Sequence, residues 1–298
     1  MNKATLLEYI SRLNVDKKGD RRSPHKPLLV LLILARYEKD KPRLAKYTEI
    51  ESDLNTLLEE FAPYQPSYRS DLPFWHLKSD KFWELPNEKP ELLKYGKASK
   101  TRFRQQKIKA GFIKEAYQLL KDEPSLIAEI AYQLLQQHFP ATLHQDVLDA
   151  VGLDVYLSDQ VLDETNTKRK RKTDFRKRVL HAYNYKCAIC GFDVRMGTMP
   201  IALEAAHIKW FQAGGPDEEN NGLSLCSLHH KLLDLGALGI SNERKIVISD
   251  KVYGDMGYSE WLLNFQDKPL RKPHQHIYSP KIEFIQWQLR EVFKGKKV

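Results

Sequence analysis

Two short knuckles, Cys187-Ala-Ile-Cys190 and Cys226-Ser-Leu-His229, frame the stretch on which the fold of this chain depends. Together they contain all 3 cysteines of the 298-residue sequence and add one histidine. Zinc accepts such a set of sulfur and nitrogen ligands in a closed, tetrahedral structural site. Because both pairs have metal-ligand spacing, we predict a structural Zn²⁺ site rather than three small buried side chains and a surface histidine.

From the first knuckle to the residues just after the second, the chain is expected to form a strand, a loop and a short helix. Residues 201–208 are apolar and strand-like, and Gly214-Gly215-Pro216-Asp217 must turn. Residues 227–235 can form about two helical turns. His230 and Asp234 are four residues apart, so on a helix they share one face and can hold one cation. The preceding histidine, about 100° round the helix, can bind a different metal.

The stretch resembles an HNH, or ββα-metal, nuclease domain. The matching segments are CxxC, AHI, NNGLSLC, and LHH followed by an aspartate one turn later. The resemblance implies that His207 is the general base, that Asn221 orients it and that His230 binds the catalytic divalent ion. It also places Asp234 where colicin-like relatives have a further metal-binding residue.

One position departs from the HNH pattern. Relatives often have His or Asp directly before the base, whereas this chain has Ala206. Glu204 lies two residues earlier on the same strand face. We therefore expect Glu204 to be the replacement ligand of the catalytic ion.

The residue types fit phosphodiester hydrolysis. An attacking water must lose a proton, and histidine accepts a proton near neutral pH. One Mg²⁺ or Mn²⁺ can stabilise the charge that develops on the phosphate and on the leaving oxygen. The alternative is a non-catalytic zinc-containing DNA-binding protein, in which the additional His and Asn side chains only cap loops.

Composition and charge favour a polyanionic partner. The net charge is +9 and the sequence pI is about 9.2, which suits nucleic acid but does not by itself exclude an acidic membrane. Three cysteines committed to a metal indicate a reducing compartment. The N-terminus lacks a signal peptide, and the most apolar run, residues 28–35, is far shorter than the roughly 20 residues that span a bilayer. We expect a soluble, cytoplasmic protein with no membrane partner.

The first half of the chain is predicted to be mostly helical. Apolar residues recur at helical spacing in segments near residues 6–13, 24–35, 50–61, 111–120, 125–139 and 144–151. Residues 28–35 are apolar all round, which predicts a core helix that opens near Pro24. Phe74-Trp75-His76-Leu77 and Phe82-Trp83-Glu84-Leu85 are predicted to pair as a short aromatic hairpin.

About residues 1–153 also resemble a known family. The order HKPLL, LPFWHL and FWEL is similar to the sulfur-binding domain of phosphorothioate-dependent, McrA-like restriction endonucleases. The resemblance implies binding of double-stranded DNA that carries sulfur in place of a non-bridging phosphate oxygen. It places Leu72, Pro73 and Phe74 in an apolar sulfur cavity, with His25 and Lys26 beside it. Members of this family often have an aromatic residue at the position of Leu72.

Physical chemistry explains how such a cavity could discriminate. Sulfur is larger and less strongly hydrated than oxygen. An oxygen placed in an apolar cavity forfeits hydrogen bonds worth roughly 1–3 kcal/mol. The alternative is that the Leu-Pro-Phe-Trp segment simply begins a core hairpin.

Basic residues near the predicted cavity are candidates for DNA contact. Residues 94–109 are rich in Lys and Arg with aromatic residues between them, and we expect a DNA-contacting loop. Arg102 and Arg104 are the main candidates there. Arg21 and Arg22, just before the HKP helix, are candidates for phosphate contact.

The predicted fold class is α+β. A mostly helical N-terminal domain with a small β-hairpin or sheet (residues 1–155) is joined by a basic linker (156–173) to a zinc-stapled ββα-metal domain (174–298). The linker contains five consecutive basic residues, 168–172. A flexible tether of this kind predicts imprecise cleavage positions.

The sequence therefore predicts an endonuclease directed to phosphorothioated DNA, with a restriction function. One alternative is an HNH nuclease directed to a modified base such as methylcytosine. Cutting both strands with a single HNH site requires two copies, which makes a homodimer one alternative for the assembly. The sequence contains no interface signature.

Overall fold

The chain forms two compact units in the computed structural model, which describes residues 1–15, 19–86, 90–94, 97–155 and 166–295. The units are Met1–Val161 and Leu162–Val298, and each has its own hydrophobic core. The predicted linker, 156–173, falls partly outside the described residues. Its last part, from Asn166, lies in a helix. The domain boundaries at 155 and 173 stay predictions.

The first unit is mainly helical. Its helices are α1 (Lys3–Ser11), α2 (His25–Glu38), α3 (Tyr47–Phe61), α4 (Asp71–His76), α5 (Lys100–Gln105), α6 (Lys114–Asp122), α7 (Ser125–His138) and α8 (His144–Val151). Its strands are β1 (Ala45–Lys46), β2 (Trp83–Glu84), β3 (Leu93–Lys94), β4 (Lys97–Ala98) and β5 (Lys109–Phe112). The order β1–β5–β2 forms an antiparallel sheet, and β3 pairs with β4. Each of the six predicted helical segments contains a helix, although residues 111 and 112 of the segment 111–120 belong to β5.

Helix α2 is the core helix of this unit. Residues 26–35 are all buried, and the helix contacts α3, α4, α7 and α8. Pro24 is the N-cap residue of the helix, and Pro27 lies in its first turn. A backbone N–H in the first turn has no intrahelical acceptor, so proline, which lacks this N–H, is tolerated there. The prediction of a helix that is apolar on all faces is confirmed.

The predicted aromatic hairpin is wrong. Phe74 to His76 belong to α4, and a 3₁₀ turn follows over Leu77–Asp80. Trp83 and Glu84 do form a strand, but that strand pairs with Gly111 and Phe112 of β5. Short apolar runs do not distinguish helix from strand, and Pro73 suits the first turn of a helix. The partner of Trp83 lies 29 residues further along the chain, so local pattern could not identify it.

A buried ion pair ties the start of α2 to the turn after α4. Lys26 Nζ lies 2.5 Å from Asp80 Oδ2, and the two side chains are only 10% and 3% exposed. Asp80 Oδ1 also accepts a hydrogen bond of 2.7 Å from the Asn14 backbone N–H. The carboxylate therefore connects three separate segments of the unit.

Replacing Asp80 by Ala is expected to lower the free energy of unfolding of this unit by about 3–5 kcal/mol, because it leaves a buried ammonium without its partner. Denaturant titration measures this loss. Asp53, exposed on α3, provides the matched control, and its replacement by Ala is expected to change the stability by less than about 0.5 kcal/mol. Equal effects of the two substitutions would contradict the structural role of the pair.

The second unit is built around a two-stranded ladder. Its helices are α9 (Asn166–Ala182), α10 (Ser227–Asp234), α11 (Met256–Trp261) and α12 (Ile282–Glu291). Its strands are β6 (Arg195–Met196), β7 (Met199–Pro200), β8 (Leu203–His207), β9 (Gly222–Cys226), β10 (Leu238–Ile240) and β11 (Ile246–Ile248). Strands β6–β7, β8–β9 and β10–β11 form antiparallel pairs. The predicted strand, loop and helix between the knuckles are confirmed.

Helix α9 packs directly on the ladder. A Cβ atom added to Gly222 would lie 2.4 Å from Val179 Cγ2. Glycine at the start of β9 therefore permits the close approach of this helix.

The α+β fold class is confirmed. No helix among the described residues has the length and apolar character needed to cross a membrane, and the cytoplasmic location stays a prediction.

Candidate metal centre and nuclease site

The two knuckles converge on one cluster. The ligand atoms of Cys187, Cys190, Cys226 and His229 all lie within 4.8 Å of one another. His229 Nδ1 is 3.1 Å from the Cys226 sulfur and 3.7 Å from the Cys187 sulfur. Three sulfur atoms and one imidazole nitrogen are a donor set that zinc accepts in tetrahedral structural sites. The predicted ligand set can therefore hold a metal ion, and its chemistry suits Zn²⁺.

Neighbouring groups orient these ligands. The second ring nitrogen of His229, Nε2, donates a hydrogen bond of 3.0 Å to the Trp261 carbonyl oxygen. Such a bond fixes the tautomer that leaves Nδ1 free for a metal. Hydrogen bonds from the Cys190 and Cys226 thiols lower the pKa of Cys187. A lowered pKa favours the thiolate, which is the form that binds metal.

The β8–β9 ladder separates this cluster from His207. Cys226, the last residue of β9, faces Leu203. His207, the last residue of β8, faces Gly222 at the other end of the ladder. Five residues of strand place the two ends about 13 Å apart. The fold thus keeps the Cys–His cluster away from His207.

His207 lies between an aromatic ring and a carboxylate. Its ring stacks on Phe175 of α9, with centroids 4.1 Å apart and an interplanar angle of 15°. Its Nε2 is 2.8 Å from Asp217 Oδ1, in the loop after β8. Burial lowers the pKa of His207, and the interaction with Asp217 opposes this only in part. The lowered pKa favours the neutral imidazole, the form that can accept a proton.

Asn221 acts on the loop rather than on the imidazole. Its side chain is fully buried, and its Oδ1 accepts a hydrogen bond of 2.9 Å from the Lys209 backbone N–H. Its Nδ2 donates to the carbonyl oxygens of Lys209 (3.0 Å) and Pro216 (2.9 Å). Asn221 therefore closes the loop between His207 and Asp217. That Asn221 orients His207 stays a prediction. These hydrogen bonds indicate that it would do so through the loop and not by contact with the imidazole ring.

His230 lies between two carboxylates. Its Nδ1 is 2.6 Å from Glu204 Oε2, and its Nε2 is 3.2 Å from Asp234 Oδ2. Burial lowers the pKa of His230, but hydrogen bonds to Asp234 and Glu204 outweigh it and raise the pKa to about 9. Charge on Asp234 and His230 also influences the pKa of His207.

The two carboxylates contact opposite nitrogens of the His230 ring. Among the described residues, the Cys–His cluster is the only group of three or more His, Cys, Asp or Glu side chains whose ligand atoms all lie close to one another. Glu204, His230 and Asp234 therefore do not form a three-ligand site in this conformation. A cation bound through one ring nitrogen would replace the hydrogen bond of the adjacent carboxylate. Ligation by Glu204, which also accepts a hydrogen bond of 2.7 Å from Ser227, stays a prediction.

Of the three predicted cavity residues, Leu72 is the one that is only partly buried. Pro73 is buried, and Phe74 is fully buried with its ring packed edge-on against Tyr47 (5.3 Å) and Trp83 (6.0 Å). The Phe74 ring therefore belongs to the core of the first unit. Contact of Leu72, Pro73 and Phe74 with DNA sulfur stays a prediction.

Two of the basic candidates, Lys26 and Arg22, have partners within the protein. Lys26 forms the buried pair with Asp80, and Arg22 donates a hydrogen bond of 2.8 Å to the Phe61 carbonyl. Burial, with the charge of Arg22, lowers the pKa of His25 to about 4. Arg21 is exposed. Their contacts with DNA stay predictions.

The segment predicted to be a basic loop is largely regular. It contains β3, β4 and α5, and it ends in β5. Arg104 makes two hydrogen bonds of 2.7 and 2.8 Å to the buried carboxylate of Glu51. Arg102 donates to the backbone carbonyls of Glu91 and Leu93. Both guanidinium groups therefore hold the segment in place, and DNA contact by Arg102 and Arg104 stays a prediction.

Sequence reasoning missed two contacts of His207. The sequence predicts Asp217 only as part of a turn, and Phe175 is not among the predicted site residues. Asp217 follows a Gly-Gly-Pro turn that must bring the chain back towards β8, so its carboxylate could have been considered as a partner of His207. No local signal links Phe175 to a residue 32 positions later.

The ladder, the following helix and the Cys–His cluster define the class of this second unit. Residues 187–241 match the family described as HNH endonuclease. Residues 3–156, more than half of the chain, match the family described as ScoMcrA-like, DNA sulfur-binding domain. The chain belongs to this ScoMcrA-like family and joins a DNA sulfur-binding domain to an HNH domain. Both predicted resemblances are confirmed.

Solved structures with similarity to this chain include two DNA complexes. The sulfur-binding domain of ScoMcrA complexed with phosphorothioated DNA is 21% identical, with a TM-score of 0.41, and 49% of this chain covers 94% of that one. The corresponding complex of SprMcrA is 17% identical, with a TM-score of 0.44, and 51% covers 95%. The type IV phosphorothioation-dependent restriction endonuclease ScoMcrA is 22% identical, with a TM-score of 0.40, and 52% covers 32% of its chain. No curated protein matches.

Proposed function

We propose that this protein is a restriction endonuclease that binds phosphorothioated double-stranded DNA and hydrolyses phosphodiester bonds near the modified site. The observation that carries the proposal is the presence of both family matches, to a DNA sulfur-binding domain and to an HNH endonuclease, in one chain. The first domain binds the modified DNA in this proposal, and the second domain cleaves it. The positions 1–155, 156–173 and 174–298 remain our proposed domain boundaries.

His207 is the proposed general base. Its imidazole takes a proton from a water molecule as the water oxygen attacks phosphorus and the bond to the 3′ oxygen breaks. The lowered pKa of His207 keeps this acceptor neutral near pH 7. Asn221 closes the loop beside it and thereby limits its movement.

His230, Asp234 and Glu204 are the proposed ligands of a catalytic Mg²⁺ or Mn²⁺. One nitrogen ligand and two carboxylates suit such a hard cation and leave positions for phosphate oxygens. When bound, the ion supplies positive charge that stabilises the developing charge of the phosphate and the leaving oxygen. The separate Cys–His cluster is proposed to hold a structural Zn²⁺.

Leu72 is the proposed surface contact for the sulfur atom. Its side chain is partly exposed, whereas Pro73 and Phe74 are buried. An apolar contact costs sulfur little, but it deprives a phosphate oxygen of its hydrogen bonds. Arg21, Arg22, His25, Lys26, Arg102 and Arg104 form the proposed basic surroundings.

The proposed sulfur recognition is tested by measuring the affinity for one duplex with and without a single sulfur. The full-length His207→Ala variant avoids cleavage, and the salt concentration is held constant because phosphate contacts make affinity salt-dependent. A difference of roughly 1–3 kcal/mol predicts about 5- to 150-fold tighter binding of the sulfur duplex. Leu72→Gln is expected to reduce this ratio, since its amide can satisfy an oxygen.

Leu7→Gln is the matched control, because Leu7 is a partly buried leucine on α1 of the same unit. It is expected to leave the ratio unchanged. If the His207→Ala protein with Leu72 unchanged binds both duplexes with equal affinity, the sulfur proposal is rejected. A third duplex with methylcytosine distinguishes a nuclease directed to a modified base.

A further inference from the structure

Two side chains hold the His207 ring from different directions. The Phe175 ring lies parallel to the imidazole at 4.1 Å, and the Asp217 carboxylate lies 2.8 Å from its edge at Nε2. The stack restricts the plane of the imidazole ring. The hydrogen bond restricts its rotation within that plane.

The elements that carry these two side chains are themselves connected. Arg178, on the same helix as Phe175, donates a hydrogen bond of 2.5 Å to the backbone oxygen of Asp217. Its Nε also lies 3.0 Å from a carboxylate oxygen of Glu219. Asn221 bonds to both ends of the loop that precedes Asp217. Helix α9 and this loop therefore form one supporting frame around His207.

The hydrogen bond also selects a tautomer. A carboxylate only accepts hydrogen bonds, so the Nε2–H of His207 donates to Asp217. The lone pair of the neutral ring is then on Nδ1. With the plane and the rotation both restricted, this lone pair has a fixed direction, as proton transfer from an attacking water requires.

We propose that Phe175 and Asp217 are positioning residues for His207: the stack fixes the ring plane, and the carboxylate fixes the tautomer with Nδ1 as the basic atom. This inference rests on the proposed nuclease function. It assigns the proton-accepting atom and extends the reaction site to the helix that begins at Asn166. Neither residue contacts the substrate in this role.

Single-turnover cleavage of a sulfur-containing duplex tests the proposal with the full-length chain. Phe175→Leu keeps an apolar side chain without a stacking face, and Asp217→Asn keeps the size but allows the amide to donate. Each is expected to lower the rate at saturating protein by about 10²-fold, the effect of a misplaced catalytic group. The protein concentration at half-maximal rate is expected to stay within about two-fold, because neither residue binds DNA.

Two control substitutions match these changes. Leu180→Ala removes a buried side chain from the same helix on another face, and Asp193→Asn removes one carboxylate from an exposed ion pair with Lys186. Both are expected to retain the wild-type rate at saturation. A fall in rate that Leu180→Ala reproduces would indicate loss of folding and would overturn the positioning role of Phe175.

Nuclear magnetic resonance of ¹⁵N- and ¹³C-labelled histidine gives a readout that does not depend on cleavage. The His207 signals are assigned by their loss in His207→Ala. We expect Nε2–H as the dominant tautomer and an upfield shift of the ring protons from Phe175. Asp217→Asn should alter the tautomer, and Phe175→Leu should remove the upfield shift.

The outcomes separate this inference from the function on which it rests. If the wild-type protein never cleaves DNA, the nuclease function fails whatever the spectra show. If it cleaves, but Phe175→Leu and Asp217→Asn behave like their controls in rate and in spectra, only the positioning role is wrong. Slow cleavage together with the two spectral changes would support it.

Discussion

Replacing His207 by Ala is expected to lower DNA cleavage by about 10²- to 10⁴-fold, the usual contribution of a general base. The physical reason is that the attacking water loses its proton acceptor, while the nearby His230 is engaged by Glu204 and Asp234. Binding of the sulfur duplex should not change, since it is assigned to the other unit. Cleavage in Mg²⁺ or Mn²⁺ and binding without added divalent ion are measured in parallel.

His276 provides a matched control for this substitution. It is an exposed histidine of the same unit, and its replacement by Ala is expected to leave cleavage unchanged. A His207→Ala protein that cleaves at the wild-type rate would assign the base elsewhere. A wild-type protein that never nicks DNA with either ion would favour the non-catalytic zinc-containing DNA-binding protein.

Loss of the metal from the Cys–His cluster is expected to unfold the second unit. Structural zinc contributes about 10–16 kcal/mol of apparent binding free energy, which is comparable to the roughly 5–15 kcal/mol by which a domain is stable. Cys226→Ser should produce the same loss, because the Cys226 sulfur contacts both His229 and Cys190. The expected result is one unfolding transition where the wild-type protein shows two.

Tryptophan fluorescence can follow this change. Trp210 and Trp287 are buried in the second unit, whereas Trp75 and Trp83 are buried in the first. Chelation should expose the former pair and leave binding of the sulfur duplex intact. Added Zn²⁺ should restore the wild-type protein but not Cys226→Ser. A metal-free second unit that keeps its cooperative transition would show that the cluster is not structural.

The metal cluster and the nuclease motif could be predicted because their signals are local. CxxC and CxxH place ligands within one turn of chain, and the two knuckles are complementary in chemistry. His207, Asn221 and His230 lie in one stretch with recognisable strand, loop and helix patterns. The structure places His207 at the end of β8, Asn221 directly before β9 and His230 in the helix that follows β9.

The residues that surround those groups depended on contacts between distant segments. Phe74 is an apolar residue of the kind that lines a cavity, yet it packs into an aromatic core with Tyr47 and Trp83. Lys26 and Arg104 look like surface cations, but each has a carboxylate partner more than 50 residues away. Charge and hydropathy indicate what a side chain can do, whereas packing decides which partner it has.

The amino-acid sequence by itself indicated the two-part plan and the Cys–His cluster, because short-range spacing carries that information, and the resemblance of its motifs to HNH domains indicated the proposed base. Only the tertiary structure showed that Phe175 and Asp217 contact His207, and that the two carboxylates lie on opposite nitrogens of His230. The physical reason is that the direction of a side chain is set by the elements packed against it. In this chain those elements come from segments that no local pattern connects.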